Sequence, residues 1–238
     1  MMRLSACLLI SLVLLGCSGT ETGNPSATSS LALVAQASDP SVAALGTGSG
    51  VRVASAWLEV SQITTSACGG TQQGEQVLAS NFAVEVVSGA GNAPALAQTQ
   101  AFCQVSVQAA AGGVPPTGAP AELASAAMVV SGTRADGVPF TITSSSTPAV
   151  SLLASSAIEP SRYAALLFAF DVSVWFSATD LQAVPLDAHG IALLDGVSHP
   201  ATLGGFDTQV ALSAALFEDT DENGQLDDSE RTHPLAQP

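Results

Sequence analysis

A chain of 238 residues with 47% hydrophobic side chains can bury one substantial core, which excludes general disorder. Its 20 acidic residues outweigh 5 basic ones, all arginine, for a formal net charge of −15. That balance excludes nucleic acid and weighs against direct binding to an anionic membrane surface, since both need cationic partners.

In chain order, residues 1–16 read as an export signal. Arg3 supplies the positive start, and residues 4–15 form an apolar run too short to span a bilayer. The run ends Leu14-Leu15-Gly16-Cys17. This ending is similar to the lipobox of bacterial lipoproteins, although Leu15 is a less usual choice at its position. The resemblance implies cleavage before Cys17 and a lipid anchor on its sulfur. The alternative is an ordinary secretory signal in which Cys17 is incidental. Ser18 after the cysteine fits delivery to an outer membrane. Residues 17–25, Cys-Ser-Gly-Thr-Glu-Thr-Gly-Asn-Pro, also resemble the start of an envelope lipoprotein family of bacteria. That likeness covers the tether only and implies an address at the cell envelope, on an outer membrane or cell surface. The 13 residues 18–30 lack large apolar side chains and predict a flexible tether spanning about 20 Å. Residues 31–238 then form a single β-rich domain.

Within that domain, residues 31–37 predict a first strand. Residues 46–50, Gly-Thr-Gly-Ser-Gly, precede a strand and lack a following lysine, so they read as a turn and not a phosphate cradle. Residues 51–63 give a stronger strand, with Ala54, Ala56, Leu58 and Val60 alternating with Ser55, Trp57, Glu59 and Ser61. Further strands are predicted at 82–87, 102–108, 126–131, 139–143 and 150–153, separated by Pro, Gly and Ser clusters at 112–120 and 144–148. Residues 164–176 predict the central strand, with Leu166, Phe168, Phe170, Val172, Val174 and Phe176 on one face. A short helix is expected over 175–181 and a strand or turn over 191–197. Residues 206–217 alternate as a strand through Phe206, Val210, Leu212, Ala214 and Leu216, while their Ala-rich second half also suits a helix. No long helical period and no internal repeat are visible. The expectation is a mostly β fold, a β-sandwich or barrel of short antiparallel strands, with the sandwich preferred.

Cys7 leaves with the signal and Cys17 is assigned to the lipid, so Cys68 and Cys103 remain. In an exported protein that pair predicts a disulfide, joining the end of the 51–63 strand to the 102–108 strand. The alternative, a metal or redox thiol pair, lacks both a CxxC and a nearby histidine.

Catalytic motifs are scarce. Asp187, His189, Asp195 and His199 could be drawn together, but no spacing places two ligands on one helical face, and loop histidines are the simpler reading. No GxSxG elbow anchors a serine nucleophile. A glycosidase's carboxylates need not be close in sequence, but one Tyr and two Trp supply a sugar-stacking platform poorly. No catalytic residue is assigned, and the chain is not read as an enzyme.

Residues 219–230 carry the chemistry that remains. Asp-Thr-Asp-Glu-Asn-Gly-Gln-Leu-Asp-Asp-Ser-Glu fits the pattern D-x-[DN]-x-[DN]-G-x5-E without a mismatch. The stretch resembles the calcium loop of the EF-hand family. The resemblance implies Ca2+ held by Asp219, Asp221 and Asn223, the Gln225 carbonyl, Asp227 directly or through water, and both oxygens of Glu230. Gly224 takes the sharp turn, and Leu226 packs inward. The alternative is a solvated acidic turn, built from the same residue types. The flanks depart from the family. Residues 231–238 contain Pro234 and leave no room for an exit helix, and there is no second loop as in calmodulin-like or dockerin-like proteins. His233 is expected to be exposed. These departures favour a static calcium staple. The expected role is a non-enzymatic envelope lipoprotein with a structural or protein-contact function; the alternatives are a binding module for a surface polymer and, third, a hydrolase.

Overall fold

Apolar side chains at every second position dominate this chain, and the computed structural model turns them into one mixed β-sheet. It describes residues 29–36, 45–46, 50–69, 74–88, 90–91, 95–96, 100–145 and 149–238. The expected signal, Cys17 and most of the tether lie outside the described residues. The strands are β1 (Ser29–Gln36), β2 (Leu45–Gly46), β3 (Arg52–Ser66), β4 (Gln76–Glu85), β5 (Ala90–Gly91), β6 (Ala95–Leu96), β7 (Phe102–Ala109), β8 (Met128–Thr133), β9 (Pro139–Ser144), β10 (Val150–Ile158), β11 (Ala165–Asp171), β12 (Ala192–Asp195), β13 (Ala214–Glu218) and β14 (Ala236–Gln237). Two α-helices, α1 (Val172–Trp175) and α2 (Pro200–Leu212), sit between β11 and β13. No helix among the described residues is long and apolar enough to cross a membrane.

The sheet runs β12-β9-β8-β3-β7-β10-β14-β13-β11-β1-β6, with β2 and β4 on the other edge of β3. Most pairs are antiparallel, but β1 runs parallel to β11 and β12 parallel to β9. The expected sandwich of antiparallel strands is therefore replaced, among the described residues, by a single mixed sheet. The 15-residue β3 is its spine: its first half pairs β8 and its second half pairs β7 along the same edge. Val86, just past β4, donates to the Ala56 carbonyl at 2.9 Å and accepts from the Ala35 N–H at 2.6 Å. The β1 end of the path is thereby drawn back toward β3, and both flanks cover one core.

The alternation predicted for 51–63 holds for Ala56, Leu58 and Val60, which are buried. It fails at Ala54, which is exposed while Val53 is buried. The ladder shifts register between Val53 and Ser55, and again between Val60 and Gln62. Each extra residue moves the following side chains to the opposite face, so the core side continues at Ile63.

The predicted central strand is also cut short. β11 ends at Asp171, whose carboxylate accepts from the Ser173 N–H at 2.9 Å and the Ser173 hydroxyl at 2.5 Å. That local cap starts α1 before Val174 can continue the alternation. The helix expected over 175–181 is not formed: α1 ends at Trp175, residues 176–180 are turn and irregular, and a 3-10 turn follows at Leu181–Ala183.

The largest departure lies at residues 200–217. The first part is helix α2 and the Ala-rich second part is strand β13, the reverse of the reading in which that second part could be helical. Pro200 fits the first helical turn, where its missing N–H costs nothing. Leu203, Phe206, Asp207 and Val210 then form one buried stripe at helical spacing. Phe206 packs at 6.1 Å from the Trp175 ring and 5.4 Å from Phe176, whose own ring meets Phe140 at 5.7 Å. The Trp175 indole N–H donates to the Ser213 hydroxyl at 2.8 Å, fastening α1 to the end of α2.

Cys68 and Cys103 form the expected disulfide, with Cα atoms 4.8 Å apart and a sequence separation of 35. It lies beside the Ser66–Gln104 pair, where β3 and β7 are already in register. Removing it by Cys68→Ser with Cys103→Ser should cost about 3–4 kcal/mol through the freed loop entropy of the unfolded chain. Denaturant melts check this, and an unchanged midpoint contradicts it.

Candidate metal centre

Residues 219–230 connect β13 to β14. These strands are antiparallel neighbours, and β14 also pairs β10, so the loop lies next to a seam inside the sheet. Leu235 N–H donates to the Leu216 carbonyl at 2.7 Å, and Ala236 faces both Leu216 and Ala154. At the other end, Asp219 N–H donates to the Ala165 carbonyl at 3.1 Å. Both ends of the loop are tied to sheet backbone, although it is close to the end of the sequence. Leu226 is buried against Val34, Leu167, Ala169 and Phe217 on the second face of the sheet, as its apolar character requires.

The loop folds around its own acids. Asp219 accepts from Asn223 N–H at 3.1 Å and Gly224 N–H at 2.9 Å. Asp221 accepts from the Asn223 side-chain amide at 2.7 Å. Glu230 reaches back across the loop, taking the Thr220 N–H at 2.6 Å, the Thr220 hydroxyl at 2.9 Å and the Asp227 N–H at 3.2 Å. Gly224 adopts φ +72°, a left-handed conformation that favours glycine and explains its place at the turn.

These contacts bring Asp219, Asp221 and Glu230 together, with one carboxylate oxygen of each within 4.8 Å of the others. Two oxygens on one calcium ion, at about 2.3–2.6 Å each, can be no more than about 5 Å apart, so this spacing admits a shared ion. The donors are all oxygen, which suits a hard cation. Asp219 and Glu230 are only 3% and 6% exposed, whereas Asp221 is open to solvent. Burial pushes the Asp219 carboxyl above its ordinary range; the Gly224 and Asn223 N–H groups pull it down, and the Glu230 charge pushes it up again.

The other predicted ligands stand differently. Asp227 is outside the cluster and shapes the turn leading into the short 3-10 helix Glu230–Thr232, accepting from the Ser229 N–H at 2.9 Å, its hydroxyl at 2.7 Å and the Glu230 N–H at 3.2 Å. The Ser229 hydroxyl chiefly holds its carboxyl below the usual range. Asn223 accepts from the exposed Gln225 N–H at 2.6 Å.

The histidine set does not assemble. Among the described residues, Asp219, Asp221 and Glu230 form the sole group of three or more such ligands. Asp187 shapes a turn by accepting from Ile191 N–H and His189 N–H, and Asp195 does the same with Ser198 and Val197. Those backbone bonds, led by Ile191 and Ser198 respectively, hold both acids low. His189 and His233 are exposed, and His199 precedes α2. Sequence reasoning missed three buried acids, Glu59, Glu85 and Asp207. Glu59 alternates as an outward residue, but Gly113 lies directly on its carboxylate. Asp207 falls within the α2 stripe, which was legible only as a strand.

Comparison with family models, curated proteins and solved structures yields no significant match.

Proposed function

We propose that this protein is a calcium-stabilised envelope lipoprotein with a structural or protein-contact role, and that residues 219–230 are its calcium clasp. The convergence of Asp219, Asp221 and Glu230, two of them buried, carries this reading. Buried carboxylates that repel one another are costly unless compensated, and a divalent cation supplies that compensation. Binding would brace β13 against β14 and so strengthen the seam with β10. An ion serving this purpose outside the cell needs only an affinity of about 10⁻⁴–10⁻³ M. No groove-opening helix pair flanks the loop, which favours a static clasp over a sensor.

Crystals grown in calcium should place one ion among Asp219, Asp221 and Glu230, with oxygen distances of about 2.3–2.6 Å. An empty loop in such crystals defeats the proposal. The anchor is tested separately. Cys17→Ser should move the protein from the membrane fraction to the soluble one, and continued membrane association would rule out lipidation at that residue.

A further inference from the structure

Helix α2 carries one ionisable side chain, Asp207, and buries it to 8% exposure on the sheet side. Its Oδ2 accepts from the Ser144 hydroxyl of β9 at 2.9 Å. Its Oδ1 is buried and has no hydrogen-bond partner. The carboxyl borders a cavity of about 10 Å³, whose other walls are apolar: Leu58, Val107, Ala109, Val150, Phe170, Val210 and Ala211. That space is at the lower limit for one water, and a water needs two or more polar partners, which these walls lack. A charge on Oδ1 therefore meets neither a donor nor a cation. A proton there removes the charge.

We propose that Asp207 is a protonation latch: the neutral carboxyl lets α2 lie closed on the sheet, and ionisation loosens the helix. The surroundings isolate the effect. No other side chain lining the cavity is titratable. β7, β8, β9 and β10 carry no ionisable side chain. On β3, Arg52 is exposed and Glu59 lies under Gly113. His199 precedes the first turn of α2, eight residues from Asp207 or about 12 Å along the axis, and Asp195 lies further off, at the end of β12. Asp171, at the end of β11, donates its N–H to the Ser213 carbonyl beyond the C-terminal end of α2.

Burial pushes the Asp207 carboxyl from 3.8 up to about 6, against the smaller opposing pull of Ser144. An acid raised on folding contributes stability that is complete below its unfolded value and is lost as pH rises through its folded value. The latch is thus closed in mild acid and released as pH rises through about 6. Trp175 reports the helix position, because its ring packs on Phe206 and its N–H holds Ser213.

The test is thermal melting of the purified protein from mild acid to mild alkali, in chelator so that the acidic loop stays in one state. The wild-type midpoint should fall as pH rises through about 6, and Asp207→Asn should remove most of that fall. Parallel profiles for the two proteins overturn the latch. A Trp57→Phe variant leaves Trp175 as the sole indole; its emission should shift to the red over the same range, and constant emission overturns helix loosening. If Asp207→Asn does not fold, carboxyl ¹³C titration of the wild type decides. A midpoint near 6 for the resonance assigned to Asp207 supports the latch, and titration of that carboxyl near 3.8 overturns it.

Discussion

Asp219→Ala and Glu230→Ala should each abolish the calcium response of this protein. With calcium at a hundredfold excess over its dissociation constant, the wild type gains about 2.7 kcal/mol. For a domain of this size that gain raises the melting temperature by roughly 5–11 °C. Both variants should melt at the same temperature with calcium or with chelator. Their metal-free states should differ. Glu230→Ala leaves Thr220 and Asp227 without their acceptor, whereas Asp219→Ala also removes a carboxylate that burial and Glu230 destabilise. Glu230→Ala should therefore be the less stable in chelator, and the reverse order contradicts the geometry. Trypsin offers a second readout, since Arg231 directly follows the loop and the chain has no lysine. Calcium should protect the bond after Arg231 in the wild type and leave it open in both variants.

Phe206→Ala should be the most damaging single change in the core. The ring is fully buried and is wedged between Trp175 and Phe176. Truncation leaves a void that neighbouring aromatic rings cannot fill, at a cost of about 3–5 kcal/mol. That corresponds to a melting temperature lower by roughly 6–20 °C. The near-ultraviolet dichroism of Trp175 should weaken as well. A variant that keeps both its midpoint and that signal would show that α2 does not close the core.

The acidic cluster was legible because its signal is local: five positions in twelve residues fix the pattern, Asp219, Asp221 and Glu230 converge, and Leu226 packs where its apolar character placed it. Long-range consequences were not. Nothing in residues 231–238 announces that Ala236 pairs with both Leu216 and Ala154, so the seam that the loop adjoins was not foreseen. Strands were legible where period two was unbroken, as in β7 and β9. The register shifts in β3 are invisible to a fixed period and mislead at Ala54. Helix α2 was hidden because Phe206, Val210 and Leu212 share one parity, which suits a strand as well as a helix. Gly204 and Gly205 weakened the helical reading further, and packing on Trp175 and Phe176 overrode their low propensity. The parallel β1–β11 and β9–β12 pairs depend on chain paths that no short window contains.

Calorimetric titration of calcium into the metal-free protein tests the central claim most directly. A single site per chain with a dissociation constant of about 10⁻⁴–10⁻³ M, lost in Asp219→Ala, is the predicted result. An absence of saturable heat, or binding that survives Asp219→Ala unchanged, would contradict the assignment of residues 219–230 as a calcium clasp.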